Sequence, residues 1–230
     1  MCSGLFVSFE GVDGCGKSTQ WQAVADALRL HYPDKEILQT RNPGGTKIGQ
    51  AIRSLLLTPQ VDGDAPMASM SELLLYMADR AQHVEEVLTP ALDRGAIVLC
   101  DRFVDSSIAY QGAARGIEPE LILQLNRFAC GDLHPHLTLL FDGDVKKLAK
   151  RVKARGNQDR LELEGTAFQE KVRQGFLALA QREPTRVHRL DALASIESLT
   201  AQAVGLITQK AETAQAADDI WNTYFAEETA

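Results

Sequence analysis

Apolar and polar positions along the chain fall into short unbroken apolar runs that alternate with stretches of helical period. The run Leu5 to Phe9 is β-rich and ends at Glu10-Gly11, the pattern of a strand buried on both faces. Beyond a glycine-rich turn, Trp21, Val24, Ala25 and Leu28 recur at i, i+3, i+4 and i+7. This predicts a helix over about 18–30 with one apolar face, stopped before Pro33. A second strand is predicted at about 36–40, running into the turn Arg41-Asn42-Pro43-Gly44-Gly45. From Met67 to Leu88 the helical period is continuous through Leu73, Tyr76, Met77, Arg80, Val84 and Val87, which predicts the longest helix, ending before Pro90. Strands at about 96–100 and 137–141 each deliver an aspartate, Asp101 and Asp142, at their carboxyl ends. Helices at about 144–154 and 167–182, a strand at about 186–190 and a helix at about 196–210 complete the pattern.

Five strands alternating with helices indicate an α/β fold built on a doubly wound parallel sheet, with ligands bound at the carboxyl ends of the strands. At 230 residues, 45% hydrophobic and 24% charged, the chain suits one such domain over 1–210, with a short lid at about 151–166. The segment 211–230 is rich in Ala, Asp, Glu and Thr, with Ile220, Trp221, Tyr224 and Phe225 as its large apolar residues. It reads as a loosely attached extension or a docking segment. No internal repeat is evident.

A formal charge of −7 and a pI near 5.3 argue against a sequence-independent nucleic-acid binder, so anionic ligands must be captured by local cations. The N-terminus has no basic segment and only a short apolar run, so neither signal peptide nor membrane span is expected and the protein is expected to be cytoplasmic. Cys2, Cys15, Cys100 and Cys130 form no CxxC and no zinc pattern and are read as reduced. Cys15, in a glycine loop at a helix start, is either a small residue filling a tight turn or a thiolate-prone position.

Gly11-Val12-Asp13-Gly14-Cys15-Gly16-Lys17-Ser18 is a complete P-loop motif, placed as its mechanics require between a buried strand and an amphipathic helix. Gly11, Gly14, Cys15 and Gly16 present backbone N–H groups to phosphate, Lys17 reaches the β- and γ-phosphates, and Thr19 continues the helix start. Ser18 and Asp101, the strand-end acid, are the Mg²⁺ candidates, with Asp142 as a rival that could instead cap the next helix. Arg41 and Arg102, both at strand ends, could converge on a second phosphate, as a kinase but not a nucleotide switch requires. Lys150, Arg151, Lys153, Arg155 and Arg160 surround Gly156-Asn157-Gln158-Asp159, a segment able to close over a transferring phosphoryl group, although Lys150 and Lys153 read as solvated. A phosphate monoester acceptor needs no strong base, because its second pKa is about 6, and no convincing catalytic histidine is present.

In combination these segments resemble bacterial thymidylate kinase over about residues 5 to 208. The likeness is carried by Phe9 to Thr19, Arg41 to Thr46, Leu75 to Gln82, Asp101-Arg102-Phe103, Ser106 to Gly112, and Arg155 to Arg160. The resemblance implies transfer from ATP with Mg²⁺ to dTMP, giving dTDP. It implies Asp13 at the acceptor's sugar and phosphate, Arg41 and Arg102 on its phosphate, Tyr76 stacked on thymine and Arg80 on the base edge. Tyr110 and Gln111 would pack on deoxyribose and bond the base, with Ser107 nearby on the acceptor side. Lys17, Arg102, Asp13 and the lid residue Arg155 would form the catalytic set. It also implies a homodimer. Asn42 departs from the usual Glu and is expected to leave Arg41 less firmly oriented. A kinase for another monophosphate or for a deoxynucleoside, and a non-catalytic ATP-binding switch, are the rival readings.

Overall fold

The computed structural model describes residues 4–59, 65–131, 133–156 and 158–228, with side chains described to residue 213. Cys2, Asn157 and the side chains of Ile220, Trp221, Tyr224 and Phe225 therefore lie outside the described residues. Five parallel strands, β1 (Leu5–Glu10), β2 (Ile37–Arg41), β3 (Ile97–Asp101), β4 (Leu137–Asp142) and β5 (Val187–Asp191), form one sheet in the order β2-β3-β1-β4-β5. The strand order reverses about β1, so the crevice between the carboxyl ends of β3, β1 and β4 receives the P-loop.

β1 is buried along its whole length and its side chains alternate between two layers. Phe6 joins Val98, Cys100, Leu88, Leu92 and Phe103 on one side. Leu5, Val7 and Phe9 join Ile97, Leu99 and the apolar faces of helices α1 (Lys17–His31) and α9 (Ile196–Glu228) on the other. These two layers explain why the strands read as unbroken apolar runs.

Helices α2 (Lys47–Leu57), α5 (Val104–Ser107) and α6 (Pro119–Cys130) add to those expected, and α7 (Val145–Arg155) and α8 (Thr166–Arg182) lie where periodicity places them. The long helix does not end before Pro90. Helix α3 (Ser69–His83) passes into a π turn (Val84–Leu88), where Thr89 N–H reaches back to Val84 O, and then into α4 (Thr89–Asp93). Pro90 falls in the first turn of α4, where a missing N–H is tolerated. A second π turn, Ile108–Ala114, carries Tyr110 and Gln111. At the other end of the chain, α9 continues past Lys210 to Glu228, because Ala, Glu, Gln and Asp dominate there and no Gly or Pro stops it.

Candidate active site

Most of the expected site residues converge on one cavity of about 550 Å³ at the carboxyl edge of the sheet. Asp13, Gly14, Gly16, Lys17, Ser18 and Thr19 line one end, and Tyr76, Arg80, Arg102, Ser107, Tyr110 and Gln111 the other. Asp101 lies between them, and Arg155 lines the lid side. Gly11, Cys15 and Arg41 do not line it.

The P-loop takes its shape from glycines in left-handed or otherwise glycine-specific conformations. At Gly14, φ is 77°, and an added Cβ would lie 2.6 Å from Leu148 O, so neither the turn nor its approach to α7 admits a side chain. Lys17 Nζ lies over the loop, donating to Gly11 O at 3.1 Å and Val12 O at 3.3 Å. Cys15 packs into the core as the small residue of a tight turn, its thiol 3.7 Å from Lys17 Nζ.

Asp101 Oδ1 is buried without a hydrogen-bond partner, although its carboxylate lines the cavity with Ser18. An orphaned carboxylate oxygen beside a hydroxyl fits a hard cation. Among the described residues no group of three or more His, Cys, Asp or Glu could hold a metal, so a cation here would complete its shell with phosphate oxygens and water. Asp142 neither joins the site nor caps a helix. It pairs with Arg173 at 2.6 Å and Arg189 at 2.7 Å, while the α7 cap is Asp144, which accepts from Lys147 N.

At the other end of the cavity, Arg102 is held in a left-handed conformation (φ 69°), a strain of roughly 1–3 kcal/mol for a non-glycine residue. Its guanidinium donates to Asp13 Oδ1 at 2.6 Å, Tyr110 OH at 3.0 Å, Gly11 O at 2.9 Å and Ser106 Oγ at 3.2 Å. Burial works against this charge, but Tyr110, Asp13, Asp101 and Glu10 around it keep it firmly protonated. Burial likewise opposes the Asp13 carboxylate, yet Arg102 and Lys17 hold its pKa below the ordinary carboxylate value. Behind this pair, Glu10 accepts from Phe103 N at 2.7 Å and Ser106 Oγ at 2.6 Å, anchoring the chain just beyond Arg102. Burial and the nearby Asp105 push its pKa up to about 7, against the opposing charge of Arg102.

Tyr76 belongs to the core cluster and also lines the cavity, and burial raises its phenol pKa. Arg80 is fully buried and donates to Asn42 Oδ1, Asn126 Oδ1, Phe103 O and Ser107 Oγ. Asn42 therefore does not act on Arg41. Its carbonyl accepts both Nε and Nη2 of Arg80, and its amide donates to Asp79. Arg41 is exposed, with its guanidinium 5.8 Å from the Trp21 ring centroid. The guanidinium that does enter the cavity from this side is Arg53 of α2, donating to Pro43 O at 3.0 Å, its pKa lowered by burial and then by Arg41. Gln169 of α8, also unforeseen, donates to Asp13 Oδ2 at 3.2 Å and Leu161 O at 3.3 Å. Neither lies in a recognisable motif. Periodicity could have shown Arg53 only once α2 had been assigned.

The expected lid comprises the last turn of α7, a loop and a 3₁₀ turn (Glu162–Glu164). Arg155 is 59% exposed at its side chain and pairs with Glu162. Arg160 instead pins the lid down, donating to Leu56 O at 2.7 Å and Glu72 Oε2 at 2.6 Å. Lys150 and Lys153 are exposed.

A P-loop following the central strand, with a second cationic pocket in the same cavity, defines a P-loop nucleoside monophosphate kinase. The chain belongs to the thymidylate kinase family, whose profile matches residues 9–203. It is 50% identical over 197 residues to a thymidylate kinase of Pseudomonas putida, covering 86% of this chain and 91% of that one. It is 47% identical over 218 residues to a thymidylate kinase of Trichodesmium erythraeum, covering 90% and 96%. The crystal structure of thymidylate kinase from Ehrlichia chaffeensis superposes with a TM-score of 0.71 at 32% identity, covering 89% of this chain and 98% of that one.

Proposed function

We propose that this cavity phosphorylates dTMP to dTDP by direct in-line transfer from ATP, with the donor triphosphate on the P-loop and the acceptor against Arg102 and Tyr76. The chain is a thymidylate kinase, and its family uses ATP as the phosphoryl donor. The observation that carries the assignment of sites is that the P-loop and the Tyr76–Arg80–Gln111 pocket open into one cavity. That continuity supports transfer between two bound nucleotides without a covalent intermediate.

The acceptor phosphate is itself the nucleophile, so the protein's work is positioning and neutralisation of charge. Lys17 neutralises the β- and γ-phosphates. Arg102 and Arg53 hold the acceptor phosphate from two sides, while Asp13 orients Arg102 and meets the acceptor sugar. Tyr76 stacks on the base, Arg80 and Gln111 meet its edge, and Tyr110 crowds the deoxyribose. Arg155 swings from Glu162 to the transferring group as the lid closes. Ser18 and Asp101 would hold Mg²⁺, which would supply positive charge to offset the charge that develops on the phosphate oxygens.

The protein is a cytoplasmic homodimer in this reading. No helix among the described residues is long and apolar enough to cross a membrane. Helix α3 packs against both α2 and α6, and these three helices expose Ile48, Leu55, Met70, Leu74, Leu121, Leu123 and Phe128, the last at 93%. Exposed apolar side chains on three helices packed together suit a two-fold contact. The activity is tested by ADP release with ATP and dTMP, with and without Mg²⁺. Turnover that needs both dTMP and the cation is expected, whereas ATP binding without dTMP-dependent ADP release would make the chain a nucleotide switch.

A further inference from the structure

Glu72 lies on α3 one helical turn before Tyr76, in no motif that points to phosphoryl transfer, and its side chain is 1% exposed. A carboxylate removed from water to this degree is retained only if its oxygens are fully engaged. Here Oε1 accepts from Gln111 Nε2 at 2.9 Å and Arg115 Nε at 3.4 Å. Oε2 accepts from Arg115 Nη2 at 3.1 Å and from the lid residue Arg160 at 2.6 Å. Burial opposes its ionisation, but the hydrogen bonds from Gln111, Arg115 and Arg160 more than offset it and hold the pKa below the ordinary value.

Two consequences follow from the chemistry of these partners. An ionised carboxylate only accepts, so it fixes which end of the Gln111 amide points toward it. Nε2 is committed to Glu72, and the carbonyl is the end left for a ligand in the cavity. A carbonyl there accepts from an N–H donor, such as N3–H of a pyrimidine-2,4-dione, and repels the bare N3 of cytosine. The same carboxylate also holds Arg160, whose own amide is bonded to Leu57 O at 3.0 Å, so the lid is tied to α2 and α3 through that residue.

We propose that Glu72 is a positioning residue that sets the polarity of Gln111, and hence selectivity for an imide-bearing acceptor base, while anchoring the lid through Arg160. The inference rests on the reading of Gln111 as part of the acceptor pocket. The decisive variant is Glu72→Gln. An amide at 72 must direct its NH₂ group at a donor on one side or the other, and Gln111 relieves the conflict by flipping.

Steady-state kinetics with dTMP and dCMP are measured for Glu72→Gln, Arg160→Gln and Gln111→Ala, with hydrogen exchange of the peptide 158–164. Glu72→Gln should raise the dTMP KM roughly tenfold, the scale of one hydrogen bond in a dry site, leave the ATP KM nearly unchanged, and lower the dTMP-to-dCMP preference. It should also speed exchange of the lid peptide. Arg160→Gln should speed that exchange without changing the preference, which separates the lid anchor from base recognition and holds even if Glu72→Gln folds poorly. A preference unchanged in Glu72→Gln while Gln111→Ala loses dTMP affinity would overturn the role of Glu72. An unaltered dTMP KM in Gln111→Ala would overturn the pocket reading beneath it.

Discussion

Arg53 and Arg41 show how the two ends of one turn divide their work. Arg41 terminates β2 outside the cavity and lies over Trp21, while Arg53, two turns into α2, enters the cavity beside Pro43. Arg53→Ala should therefore raise the dTMP KM by about tenfold or more, as loss of a charged phosphate contact does, with Arg41→Ala well below that. The opposite order would restore Arg41 as the phosphate ligand. Lys17→Ala should lower kcat by roughly two orders of magnitude or more, since it removes the cation on the β/γ-phosphates, and near-normal turnover would remove Lys17 from catalysis. The place of Lys17, Ser18, Asp101 and Arg102 in the cavity was legible because the P-loop motif and the strand ends tie each to a backbone position, while that of Asp13 came from the family resemblance. Arg53 was not, because nothing in IRSLLL distinguishes a cavity-facing arginine from a solvated one. Asn42 misled for a related reason: sequence adjacency to Arg41 suggested contact, but consecutive residues leaving a strand face opposite ways, and Asn42 turns inward to Arg80.

Among the elements, β1 and the segment after β3 are coupled through Glu10. Its carboxyl group, raised from 4.5 to about 7 chiefly by burial, binds its proton more tightly in the folded chain than in the unfolded one. Its contribution to stability is therefore complete below about pH 4.5 and is lost as the pH rises through 7. His83, lowered from 6.5 to about 4 by burial and Arg80, acts in the other direction, its contribution being lost as the pH falls through that range. Across pH 6.5 to 8 the Glu10 contribution is being lost. Glu10→Gln can still accept from Phe103 N and donate to Ser106, so its Tm should fall less over that window than the wild-type Tm. Equal falls would show that Glu10 does not titrate there. The strands and the long helices were legible because buried parallel strands read as apolar runs and amphipathic helices as a 3.6 period. The two π turns were not, since one extra residue per turn shifts the apolar face without breaking the pattern, and the one at Ile108–Ala114 brings both Tyr110 and Gln111 to the cavity.

Across the whole molecule, the sheet order places the P-loop at the central strand and the pocket of Tyr76, Arg80 and Gln111 beside it, and Arg160 ties the segment after α7 to α2 and α3. In the proposed homodimer the exposed apolar side chains of α2, α3 and α6 would supply the surface for the second copy, so Phe128→Glu should shift the sedimenting species from dimer to monomer; an unchanged species would place the contact elsewhere. The doubly wound architecture was legible from the alternation of strands and helices. The full extent of α9 was not, because its large apolar residues past Lys210 are confined to Ile220, Trp221, Tyr224 and Phe225 near its end, too few to carry a period along the segment. The most direct measurement of what the cavity does is ADP release with ATP and Mg²⁺ against dTMP, dUMP, UMP, CMP, GMP and AMP in parallel. A kcat/KM highest for dTMP, with ribonucleotides and purines far below, is expected from a pocket built of Tyr76, Arg80, Tyr110 and Gln111. Comparable or better turnover of CMP, GMP or AMP would contradict that pocket.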